Sequence, residues 1–113
     1  MPGAVEPAGG REGVDAIFAA LADPTRRHLV ETLAAQPGSS ATALAAGLPI
    51  SRQAVSKHLR QLGRAGLVSS HRSGREARYE LDPRPLADAT AWIATVGGEW
   101  DRRLAGLQRL LER

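Results

Sequence analysis

A mainly α fold carrying one β-hairpin is what this chain of 113 residues predicts, and three observations predict it. Two short helical runs, each opened by a serine able to cap it, are separated only by "GLPI" at 47–50. Directly after them the apolar period changes from helical to alternating over "LVSSHRSGREARYEL". From Leu86 onward the helical period returns and holds for about 27 residues. Helix, tight link, helix, hairpin and long terminal helix together outline a winged helix-turn-helix.

Composition narrows the chemistry. One domain with a modest core is expected at this length, small enough that a further interface would help to stabilise it. The absence of cysteine excludes a disulfide framework, a zinc ribbon, a thiolate metal sensor and a thiol redox switch, because each needs sulfur. The longest apolar stretch, 16–22, lies between Asp15 and Asp23 and falls well short of the roughly 20 residues a membrane span needs. It has no basic leader, so a cytoplasmic protein without a membrane partner is expected. The net charge of +3 is unevenly spread. Residues 1–50 hold three Arg against five acids, 51–84 hold seven Arg and Lys57 against three, and 85–113 hold four against four. A positive surplus confined to one stretch suits a polyanion, since each neutralised phosphate releases counterions.

Each element follows from local signals. Residues 1–13 contain four Gly and two Pro and almost no large apolar side chain, so a disordered tail is expected there, with the folded domain over 14–113. Val14, Ile17, Phe18 and Leu21 make a first helix that Asp23-Pro24 ends. Asp23 then caps a second helix with Pro24 at its first position, where a missing N–H costs nothing. Leu29, Val30 and Leu33 form its inner row, with Arg26, Arg27 and Glu31 toward solvent and His28 a partly exposed structural residue. Ser40 caps a third helix through Ala46, which Gly47 closes while Leu48 packs back and Pro49 prevents continuation. Ser51 caps the fourth, whose apolar row is Ala54, Val55, Leu59 and Leu62. The hairpin is expected to turn at Ser73-Gly74, placing Val68 opposite Tyr79, with Val68, Ala77, Tyr79 and Leu81 on one face. Ser69, His71, Glu76, Arg78 and Glu80 take the other face. The last helix, 83–113, repeats Leu86, Ala89, Ile93, Val96, Trp100, Leu104, Leu107 and Leu111 at three and four residues. Gly97-Gly98 either kinks it or breaks it in two. So much apolar surface exceeds what one small domain covers, and a second copy across a two-fold axis is the economical partner.

In a helix-turn-helix the second helix enters the major groove of double-stranded DNA and the first braces it. Arg52, Gln53, Ser56 and Lys57, nearest the helix start, are candidates for base edges, and Arg60 and Arg64 for phosphate clamps. His58 either contacts DNA, the preferred reading, or packs beside Leu59 and Leu62. Arg72 and Arg75 flank the hairpin tip and reach the backbone or minor groove; His71 touches phosphate or nothing. No acid and base constellation for catalysis appears. Ser56 and His58 lie two apart and face different sides of a helix, so no enzyme is expected. The alternative is a winged-helix protein docking module without sequence-specific DNA binding.

"LADPTRRHLVETLA", "ISRQAVSKHLRQLGRAGLV", "GREARYELDPRPL" and "EWDRRLAGLQRLL" together resemble the ArsR/SmtB family of dimeric winged-helix repressors, with coverage from about Val14 to Leu111. The resemblance implies a DNA-reading helix over 51–62, a wing over 70–79 and an operator-occupying, autoregulating repressor. It also implies dimerisation through the first and last helices, with Ile17, Leu21, Leu86, Ile93, Trp100, Leu104 and Leu107 at the interface. The family's metal sensors carry a Cys-x-Cys pair near the reading helix, or Asp and His on the last helix. This chain has no Cys, and residues 72–113 hold no His. Asp88, Glu99 and Asp101 alone are a poor transition-metal set, so neither metal nor cofactor is expected. A small organic effector, or none, is the implied signal; the dimer interface around Trp92, Trp100 and Leu104 is the apolar place for one, but the preferred reading is that these residues simply hold the dimer together.

Overall fold

The computed structural model describes residues 11–112. In chain order the elements are α1 (Arg11–Leu21), α2 (Pro24–Ala35), β1 (Ser39–Ser40), α3 (Ala41–Ala46), α4 (Arg52–Arg64), β2 (Val68–Ser73), β3 (Glu76–Leu81) and α5 (Arg84–Leu111). The expected tail over 1–13 lies outside the described residues as far as residue 10. From Arg11 the chain is already helical, because Arg11 and Glu12 are good helix formers and Gly13 costs only about 1 kcal/mol.

The three expected caps form. Asp23 accepts from the Arg26 amide at 3.0 Å, Ser40 from Ala43 at 3.1 Å and Ser51 from Ala54 at 3.1 Å. Each satisfies an amide the first helical turn leaves unpaired, contributing about 1 kcal/mol. Leu29, Leu33, Val55, Leu59, Leu62 and Leu67 are fully buried and form the centre of the core, with Ile17 from α1 and Ala89 from α5 joining it.

Two glycines set how the reading helix passes into the wing. Gly66, at φ +80°, follows the end of α4; its amide donates to the Gly63 carbonyl at 3.0 Å and the Leu67 amide to that of Leu62 at 3.0 Å. This Schellman closure brings Leu62 and Leu67 together in the core. The hairpin turns one residue later than expected, at Gly74-Arg75, with Val68 opposite Leu81 and Ser73 opposite Glu76. The reason is Gly74 at φ +65° with no positive φ at Arg75, which suits glycine at the first central position of the turn rather than the second. Because the pairing slips by two residues, the faces survive: Val68, Ala77, Tyr79 and Leu81 still share one side.

The pair β1 adds a third strand, in the order β1-β3-β2, with Ser39 opposite Tyr79 and Ser40 opposite Arg78. Ser40 thus ends a strand and caps a helix. Helix α5 runs unbroken through Gly97-Gly98, its 28 residues spanning about 42 Å. Asp82 precedes it, accepting from the Arg84 amide and guanidinium; that side-chain bond, then the backbone one, lowers its pKa to about 2. The α5 helix packs its first turns on the body, through Leu86 and Ala89 in the core and Trp92 against Phe18 of α1. No helix among the described residues is long and apolar enough to cross a membrane.

Candidate nucleic-acid interface

Helix α4 divides its circumference sharply. Val55, Leu59 and Leu62 are buried, whereas Arg52, Gln53, Lys57, Arg60 and Arg64 are exposed and Ser56 is half-buried at the edge. At about 100° per residue these six polar side chains fall within one arc of roughly 140°. Burial of the apolar row is what turns them outward.

The wing leans over the start of that arc. A cleft of about 120 Å³ is walled by Arg52 and Ser56 of α4, Arg72 on β2, Arg75 in the turn, and Thr42 at the start of α3. Three arginines, one from α4 and two from the hairpin, line it, and guanidinium is the donor chemistry that holds phosphate oxygens bidentately. The one acid at the rim, Glu76, is 3.5 Å from Arg78. Arg78 in turn donates to the Gly38 carbonyl at 3.0 Å, so it braces the sheet. Arg64 lies at the other end of α4, beside Ala16 and Ala19 of α1, and Arg60 is exposed between the two ends. His71 is exposed on the wing's outer face, opposite Arg78.

For His58 the expected readings are DNA contact, the preferred one, or packing beside Leu59 and Leu62. His58 is half-buried on the flank toward α2, with Nδ1 3.5 Å from Nη1 of Arg26, outside the exposed arc. Arg26 corrects the expectation of a solvent-facing side chain. Its Nη1 donates to Oε1 of Gln61 at 2.5 Å, Nε to the Ala20 carbonyl at 2.6 Å and Nη2 to the Ala19 carbonyl at 3.2 Å. Arg27 donates to the Leu21 carbonyl at 2.6 Å. The last carbonyls of α1 lack intrahelical partners, and these two guanidiniums supply them. Asp23 has a lowered pKa, chiefly from the Arg26 amide it caps, with smaller contributions from the charges of His58 and Arg26. Gln61, Thr42 and Arg26 were missed as contributors. Only Thr42, beside the Ser40 cap, carried a readable positional signal.

The expected interface residues separate into two groups. Ile17 is 2 % exposed and belongs to the protomer's own core, while Leu21 and Leu86 are half-buried against that core. Helix α1 spends its inner row on α2 and α5, which removes Ile17 from any outer surface. Ile93, Trp100, Leu104 and Leu107 stand exposed along α5, each at least half accessible. Trp92, expected beside Trp100 and Leu104, joins them, as do Phe18, Leu110 and Leu111 from outside the expected set.

Comparison with known proteins finds the same architecture. A family model described as a helix-turn-helix domain matches residues 21–71, from the end of α1 into β2. The HTH-type transcriptional regulator Rv2034 of Mycobacterium tuberculosis is 42 % identical over 87 % of this chain and 88 % of its own length. The transcriptional repressor SdpR of Bacillus subtilis is 33 % identical over 78 % of this chain and 97 % of its own. Among solved structures, an ArsR-like transcriptional regulator from Rhodococcus sp. RHA1 superposes with a TM-score of 0.81 at 39 % identity, covering 95 % of this chain and 97 % of that one.

Proposed function

The chain belongs to the ArsR-like family of winged helix-turn-helix transcriptional regulators and is a DNA-binding regulator, and from that premise we propose that it works as a homodimeric repressor occupying a palindromic operator. The observation that carries the reading is the exposed basic arc of α4 opening into the same cleft as the wing arginines. Base edges fall to Arg52, Gln53, Ser56 and Lys57, and the backbone to Arg60, Arg64, Arg72 and Arg75. His58, on the flank of that arc beside Arg26, is the remaining candidate for a DNA contact.

A second copy supports the exposed apolar row of α5, and a two-fold pair sets the reading helices one helical turn apart, roughly 34 Å. Bound in the cytoplasm, the dimer blocks RNA polymerase by occupancy. A relative named as a transcriptional repressor supports that sense of regulation. The signal is a small organic effector, or none with simple autoregulation; the chain offers no thiolate to a metal.

Selection of genomic fragments by the purified full chain tests this. Enrichment of a palindrome with half-sites about ten base pairs apart, including one upstream of its own gene, is the expected result. Neutralising about 6–10 phosphates lowers affinity by roughly 10³ to 10⁵ between 50 and 200 mM salt. Recovery of no preferred sequence would overturn the repressor and favour the protein docking module.

A further inference from the structure

Tyr79 is the only tyrosine of the chain and lies in the central strand of the sheet, opposite Ser70 of β2 on one side and Ser39 of β1 on the other. Its carbonyl accepts from the Gly38 amide at 2.9 Å. Pairing on both edges holds its backbone in place. Along the core-facing side of the hairpin three cross-strand pairs succeed one another toward the tip: Val68 with Leu81, Ser70 with Tyr79, and Arg72 with Ala77. The first pair packs in or against the core, and the last lines the arginine cleft. Tyr79 belongs to both, half-buried against the core cluster and also a wall of the cleft.

No described residue bonds the Tyr79 hydroxyl, and it is not buried, since no buried side-chain polar atom among the described residues lacks a partner. A phenol with its ring against a core keeps its polar tip at the wet end, and the wet end here is the cleft. Ala77, one pair nearer the tip, is too small to cover it. Arg72 is its diagonal neighbour on the same face, at a separation of roughly 7–8 Å that long side chains bridge. The one acid in the lining, Glu76, belongs to the hairpin's other face, beside Arg78. We propose that Tyr79 is a DNA-backbone ligand, its hydroxyl donating to a non-bridging oxygen of a phosphate that the cleft arginines hold. Tyrosine is among the side chains that make such contacts, and a bond from hydroxyl to anionic oxygen is short and strong. Packing of the ring sets the donor in place before DNA arrives, so little order is lost on binding.

The proposal rests on the reading of the arginine cleft as part of the DNA face, and Arg75→Ala separates the two. Fluorescence anisotropy of the full chain with a short labelled duplex of arbitrary sequence, between about 50 and 200 mM salt, suffices, because phosphate contacts need no operator. Tyr79→Phe keeps the ring and its packing. Its affinity is expected to fall about tenfold at every salt concentration, with the slope of log affinity against log salt unchanged, because a neutral donor releases no counterion. Arg75→Ala weakens binding and also flattens that slope by about 1. Incorporated 3-fluorotyrosine labels Tyr79 alone, and its fluorine resonance is expected to shift when the duplex is added to the otherwise unsubstituted chain. An affinity loss under about twofold, a slope flattened as in Arg75→Ala, a fall in Tm above about 5 °C in Tyr79→Phe, or an unmoved fluorine resonance overturns the proposal. If Arg75→Ala alone weakens binding, the cleft holds DNA without the hydroxyl; if neither variant does, the DNA face lies elsewhere.

Discussion

Replacing Arg26 by Met keeps most of the aliphatic stem and removes the guanidinium that joins three helices. Lost with it are the bonds to the Ala20 and Ala19 carbonyls of α1 and to Gln61 of α4. At about 0.5–1.5 kcal/mol net per bond the three sum to about 1.5–4.5 kcal/mol, and partial exposure of the site keeps the loss in the lower part of that range, about 1.5–3. For a domain of this size that lowers Tm by about 6–12 °C. Urea and thermal unfolding of the full chain, at one fixed protein concentration because the proposed dimer would contribute, measure it. The control is Arg27→Met, which removes one exposed bond to Leu21 and should cost below about 1 kcal/mol. Arg26→Lys, with a point charge in place of a fork, recovers at most part of the loss. If Arg26→Met changes stability by under about 0.5 kcal/mol, or no more than Arg27→Met, the network does not tie α1 to α4 as argued.

Three further outcomes follow from the same geometry. Arg52→Ala and Lys57→Ala should each weaken operator binding by about 1–3 kcal/mol in gel-shift titrations at fixed salt, with Arg109→Ala near neutral; equal effects would dismiss α4 as the reading helix. Leu104→Glu/Leu107→Glu places charge on the exposed row of α5 and should leave a folded monomer in sedimentation, whereas an unchanged mass would remove α5 from the interface. Asp82, with its folded pKa lowered from 3.8 to about 2, contributes stability that is fully present above 3.8 and lost as pH falls through about 2. Asp82→Asn should flatten that part of the stability profile, and added salt should shrink the difference, because Arg84 is exposed.

The sequence foretold most of what local chemistry determines. Asp23, Ser40 and Ser51 each announced a helix start because capping needs only a short side chain and the next three residues. The apolar rows of α4 and α5 were legible by period alone. What escaped reading depended on approach between distant segments. Arg26 has the spacing of a solvent-facing residue, yet Gln61 lies 35 positions away in sequence and meets it only after α2 packs on α4. Ile17 and Phe18 are adjacent and both apolar; only the placement of α5 decides that the first is buried and the second faces outward. The hairpin register turned on a single glycine, whose positive φ could serve either central position of a two-residue turn.

The stretch "LADPTRR" shows how one short segment sets up the rest. Asp23 starts α2 and Pro24 makes the break from α1 sharp, so that Arg26 and Arg27 come round under the end of the helix just left. Because Gln61 sits on α4, Arg26 joins the end of α1 directly to the helix that carries the exposed basic arc. Helix α1 offers its inner row to the core and the carbonyls of its last turn to Arg26 and Arg27, so displacement of its C-terminal end strains those bonds. The bond to Gln61 holds α4 one turn beyond Lys57, where a small rotation redirects every side chain in the exposed arc.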